Sequence, residues 1–121
     1  MTDIHKHQRP GRFSVRSGVV GGVPVATVDG EIDHDVMGDF ERALLSQDAA
    51  TLPRIVVDLS GVTFMDSSGI NVFIAAHRRV GEAQGWLRIA GAQDSVRSLM
   101  QMVGIDALID CHPSVEQALK A

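Results

Sequence analysis

The stretch that most constrains this chain runs from Ile55 to Ile74, where a compact apolar segment passes through a short polar turn into an apolar segment of different period. Ile55-Val-Val-Asp-Leu59 is rich in β-branched residues and bounded by Pro53 and by the turn pair Ser60-Gly61, which predicts a strand buried on both faces. Beyond Asp66, the positions Ile70, Phe73, Ile74, His77 and Val80 fall at helical spacing, and the run closes at Gly81 to Gly85. Ser67 or Ser68 therefore opens a helix. A hydroxyl there can accept from the free amides of the first turn, and those amides with the helix dipole favour an anion. Two adjacent hydroxyls are more than one N-cap requires.

The flanking segments repeat this alternation of strand and helix. Residues 1–11 are polar, end in Pro10-Gly11 and read as a flexible tail, followed by one domain over 12–121. Phe13 and Val15 alternate with Ser14 and Arg16 as in an edge strand, and Val23 to Val28 alternates again. The glycines among Ser17 to Gly22 predict a hairpin loop longer than two residues. Asp29-Gly30-Glu31 ends the second strand, and Asp33 or His34 starts a helix whose apolar face is Val36, Phe40, Ala43 and Leu44. Gln47 to Pro53 is a polar connection into the central strand.

Trp86 to Ala90 reads as a strand between Gly85 and Gly91. Asp94 or Ser95 opens a helix with Val96, Leu99, Met100 and Val103 on one side, stopped by a left-handed Gly104. Met100 and Met102 read as packing or rim residues. Ala107 to Ile109 is a short strand, and Pro113-Ser114 starts a last helix over Val115, Ala118 and Leu119. The order β-β-α-β-α-β-α-β-α predicts an α/β domain: a mixed sheet of about five strands, partly parallel, covered by about four helices.

Composition removes several functional classes. A net charge of −4 without a basic stripe argues against nucleic-acid binding, and four Phe, one Trp and no Tyr leave few stacking platforms. No apolar run approaches the ~20 residues that span a bilayer, and the N-terminus has no signal-like apolar core. The single cysteine, Cys111, agrees with a cytoplasmic location.

The catalytic motifs are missing as well. A nucleophile elbow needs Gly-x-Ser-x-Gly, but Met65 precedes Ser67 by two and Asp66 precedes Ser68 by two. His34, His77 and His112 are the candidate bases, but His77 falls about two and a half turns along the helix from Ser68 and His112 near the other end of the chain. No Walker or Rossmann glycine loop is present, and neither His5-Lys6-His7, Asp33-His34-Asp35 nor Cys111-His112 makes a metal site. The expectation is a binding module with no enzymatic activity, no metal and no cofactor.

Phe64-Met-Asp66-Ser67-Ser68-Gly69-Ile70 after a Val-Val-Asp-Leu strand resembles the phosphorylation-site segment of STAS-domain anti-sigma factor antagonists. Gly30-Glu-Ile-Asp33-His34 is a second matching segment, and the resemblance extends from Phe13 to Leu119. It implies a STAS-like single domain that works by partner switching. The unmodified form would bind an anti-sigma factor that is also a serine kinase and so release a sigma factor; phosphorylation of Ser67 would end binding, and a serine phosphatase would reset it. The implied docking surface comprises Asp33, His34, Asp66, Ser67, Ser68, Gly69 and Asn71, with Gly69 admitting the partner's backbone. Many relatives have glycine at the position of Asn71, so partner identity is left open. The expected state is a monomer or weak dimer, without nucleic acid or membrane. The alternative is a STAS domain that binds a small anionic ligand or nucleotide, or serves in a stress-signalling assembly.

Overall fold

A computed structural model describes residues 8–9, 13–45 and 53–121. Its strands are β1 (Gln8–Arg9), β2 (Phe13–Val20), β3 (Val23–Ile32), β4 (Arg54–Met65), β5 (Trp86–Ala90) and β6 (Cys111–His112). The helices are α1 (Met37–Leu45), α2 (Ser67–Glu82), α3 (Asp94–Met102) and α4 (Val115–Lys120). The strands lie in the sheet in chain order; β1, β2 and β3 pair antiparallel, and β3 to β6 pair parallel. This is the expected mixed sheet with four helices, plus one short strand: Gln8–Arg9, read above as part of a tail, pairs with Ser14 and Phe13. The rest of that tail and most of the Gln47–Pro53 connection lie outside the described residues.

The period-two alternation of the strands sorts side chains onto two faces. Ile55, Val57 and Leu59 of β4 join Val28, Ile89, Phe40, Phe73 and Met100 in the larger core, under α1, α2 and α3. Val56 points the other way, into a smaller cluster with Val23, Val25, Ala90 and Ala118 beneath α4. The central strand is thus buried on both faces, in line with its compact apolar run. Phe40 joins the layers, its ring meeting Phe13 edge-on at 6.3 Å and Phe73 at 5.3 Å.

Three local expectations are corrected. The β2–β3 loop is only Gly21-Gly22, since Val20 already pairs with Val23. Both glycines have positive φ, +58° and +81°, which a tight primed turn demands. Gly18, taken for loop, continues the ladder opposite Val25.

Ser60-Gly61 does not end β4, which runs on to Met65. Asp58 lies opposite Thr27 but Gly61 opposite Asp29, so β4 carries an extra residue there; it carries another between Val62 and Phe64. Glycine leaves room in the first bulge for the Asp29 side chain, since a Cβ on Gly61 would come within 1.8 Å of Asp29 Oδ1 and displace it.

Ala107–Ile109 is not a strand. Gly104, at φ +79°, reverses the chain into a 3₁₀ turn at Ile105–Ala107, and the strand follows at Cys111–His112. Ile105 and Ile109 are both buried, and the Ile109 amide donates to the Ile105 carbonyl at 2.9 Å. Their four-residue spacing is a helical turn rather than an alternation.

Candidate functional site

Residues Ile32 and Met65 are register partners at the carboxyl ends of the parallel strands β3 and β4, and an aspartate follows each. Both aspartates have extended backbone, φ −129° at Asp33 and −108° at Asp66, as N-caps do. Asp33 Oδ1 accepts from the Asp35 amide at 3.0 Å and opens a 3₁₀ turn, His34–Val36, that leads into α1. Asp66 Oδ1 accepts from the Ser68 amide at 2.8 Å and opens α2. The Asp66 amide donates to the Ile32 carbonyl at 3.1 Å, which ties the two turns together. Two like turns on adjacent strands thus stand side by side, and the extra residues in β4 are what bring its longer segment into step.

The cap of α2 is Asp66 and not a serine hydroxyl, contrary to the expectation that Ser67 or Ser68 would supply it. A carboxylate one position before the helix reaches the amide two residues on and leaves the hydroxyls unused. Ser67 is the first residue of α2 and exposed, and its hydroxyl has no hydrogen-bond partner among the described residues. Ser68 is half-buried and engaged through its backbone amide. Asn71 is exposed one helical turn beyond Ser67, on the same face. His34 is exposed beside the half-buried Asp33.

Gly69 has a different role from the one expected. It is buried, and a Cβ there would come within 2.6 Å of Met65 Cγ and 2.9 Å of Ile32 Cγ2. The glycine lets α2 lie against the strand ends that carry both turns, and it faces the core rather than an incoming chain.

Phe64 was missed by the sequence reading as a surface residue. It lies opposite Glu31 and is 49% exposed, whereas Met65 turns into the core. Ending the strand at Ser60-Gly61 hid the signal, because only in a strand that runs to Met65 do neighbouring residues face opposite ways. The junction therefore exposes an apolar ring at Phe64 and a hydroxyl at Ser67, with acidic side chains at Glu31, Asp33, Asp35 and Asp66.

Two of the three candidate bases lie away from Ser67. Each residue advances a helix by ~1.5 Å, so His77 lies about 15 Å along α2 from Ser67. His112 lies on β6, the far edge of the sheet. Among the described residues no group of three or more His, Cys, Asp or Glu could hold a metal ion. Cavities of about 240 and 250 Å³ lie between α3 and β6, and no residue of the Ser67 turn lines them. No helix among the described residues is long and apolar enough to cross a membrane.

Known proteins resemble this chain in sequence and fold. The anti-sigma F factor antagonist of Paenibacillus polymyxa is 28% identical over 102 residues, covering 81% of this chain and 85% of that protein. The crystal structure of an anti-sigma factor antagonist from Mycobacterium paratuberculosis is 27% identical, with a TM-score of 0.82 over 93% of this chain and 96% of that one. The phosphorylated form of the Bacillus cell fate determinant SpoIIAA is alike in fold, with 19% identity and a TM-score of 0.67 over 88% of this chain and 97% of that one. The STAS domain family matches residues 15–118, nearly the whole sheet, three helices and most of α4, and the chain belongs to that family.

Proposed function

We propose that this STAS domain is a non-catalytic anti-sigma factor antagonist of the cytoplasm, switched by phosphorylation of Ser67. In the unmodified state Ser67, Asn71, Phe64 and the turn at Asp33-His34 dock on an anti-sigma factor, which then releases its sigma factor. That anti-sigma factor doubles as the serine kinase, and a serine phosphatase restores the binding form. Relatives of the same length named as anti-sigma factor antagonists support the general role.

The observation that carries the reading is the spare hydroxyl at Ser67, exposed on the first residue of α2 while Asp66 does the capping. A phosphate there adds about −1.5 to −2 charges at neutral pH. The unpaired amides of the first turn and the helix dipole offset that charge locally, so the domain stays folded. The effect falls on the partner. Bulk and charge appear in the middle of an apolar and already acidic docking surface, and association weakens by repulsion and desolvation.

Incubation with ATP, magnesium and candidate anti-sigma kinases, followed by mass-spectrometric site mapping, tests the modification. The expected product carries one phosphate, on Ser67, and Ser67→Ala carries none. Phosphate on Ser68 alone, or none with any kinase, contradicts the assignment.

A further inference from the structure

A second exposed apolar surface lies at the opposite edge of the sheet. Helix α3 begins beyond the carboxyl end of β5, on the same edge as Ser67, and runs back to the edge from which β6 departs. Near its end Met102 is 81% exposed, Val103 51% and Leu108 49%. Three apolar side chains are thus left in solvent across the turn at Gly104, whereas isolated exposed ones need no explanation. A cavity of about 250 Å³ adjoins them, lined by Arg97, Met100 and Gln101 of α3 and by Asp106 and Cys111 of the returning chain.

The charge around this patch is acidic on balance, with Asp94, Asp106 and Asp110 against Arg97. Arg97 is engaged by Asp94 on its own helix. Asp106 and Asp110 are exposed and have no ion pair among the described residues. Their field is felt by Cys111, whose thiol is pushed up to about 11, first by burial and then by these two carboxylates. A second copy of the chain seated here in two-fold fashion would bring this acidic patch against itself, and an anionic lipid surface would be repelled. A cationic partner is favoured on both counts.

The geometry points to a docking surface at Met102, Val103, Asp106, Leu108 and Asp110 for a basic amphipathic helix of another polypeptide. Its apolar face would lie over Met102 and Leu108, and its Lys or Arg side chains would meet Asp106 and Asp110. Methionine suits such a surface, since its unbranched, polarizable side chain adapts to varied apolar contacts. The surface is separate from the Ser67 turn, so the domain can hold this partner in either phosphorylation state.

The test uses the full ¹⁵N-labelled chain, titrated with a synthetic helix bearing leucine on one face and lysine on the other, and with its glutamate counterpart. The lysine peptide is expected to shift the amides of Gln101 to Asp110 saturably and leave Ser67 to Asn71 unmoved; the glutamate peptide does neither. Met102→Gln with Leu108→Gln, and Asp106→Asn with Asp110→Asn, should each weaken binding by about tenfold or more. All four positions are exposed, so both variants keep the fold, and their own spectra report it. Ser67→Glu should bind the peptide as wild type does, which keeps this result distinct from the phosphorylation switch. Equal binding of both peptides, binding mapped elsewhere, or no saturable shift overturns the proposal. So do concentration-dependent shifts at the same amides without peptide, which would make a second copy the occupant.

Discussion

Ile32 and Met65 face one another across β3 and β4, and the amide of the residue after Met65 donates to the carbonyl of Ile32 at 3.1 Å. This pairing holds two aspartate-capped turns side by side, with the exposed Ser67 on one and the exposed His34 on the other. The consequences can be measured residue by residue.

Removing the Asp66 carboxylate leaves the Ser68 amide without its acceptor at 2.8 Å. Asp66→Ala should lower unfolding free energy by about 1 kcal/mol, whereas Asp66→Asn should lose much less. Denaturant titration of the two variants checks this, with an unchanged slope showing that only the cap was lost.

Gly69→Ala should destabilise the domain even though alanine is the better helix former. The new methyl meets Met65 at 2.6 Å and Ile32 at 2.9 Å, and overpacking of this kind costs about 1–3 kcal/mol. Met65→Ala in the same chain opens space for that methyl. The double variant should therefore lose less than the sum of the two single changes, and a double-mutant cycle measures the difference.

Phe64→Ala should leave stability nearly unchanged, since the ring is 49% exposed, and weaken binding to the cognate anti-sigma factor. An aromatic anchor at an interface centre contributes about 2 kcal/mol or more, so a loss of roughly thirtyfold is expected by calorimetry. Undiminished binding would remove Phe64 from the docking surface.

The Cys111 thiol is pushed from 9.0 to about 11 in the folded chain, by burial and then by Asp106 and Asp110. Between these values the folded state holds a proton that the unfolded state has given up. The contribution to stability is complete below pH 9.0 and is lost as the pH rises to about 11. Stability of the wild type should fall across that window more steeply than that of Cys111→Ser. Alkylation of the folded protein at pH 8 should be slower than that of an unperturbed thiol, because the thiolate is the reactive form.

The central strand, the switch to helical period at Asp66, and the helix faces of Phe40, Phe73 and Met100 were legible because apolar periodicity records burial directly. Less legible was what depends on a neighbour across space. Ser60-Gly61 has the composition of a turn, and only its pairing with Asp29 makes it a bulge within β4. The Gly21-Gly22 turn was obscured by Gly18, whose place in the ladder is set by β3 and not by its own propensity. At the site, a docking surface that includes both Asp33 and Asp66 was what the resemblance implied, but the division of labour between Asp66 and Ser67 was not foreseen. A carboxylate and a hydroxyl compete for the same amide, and the winner depends on backbone angles that sequence does not specify. Gly69 likewise shows its purpose only beside Met65 and Ile32.

The most direct test of the switch is isothermal titration of the cognate anti-sigma factor with this protein, unmodified and stoichiometrically phosphorylated on Ser67. Circular dichroism is recorded on both forms. The account predicts superimposable spectra, tight binding of the unmodified form, and binding at least about a hundredfold weaker after phosphorylation, or roughly 2.7 kcal/mol. Equal affinities with intact fold would contradict it, and so would an affinity loss that came with unfolding.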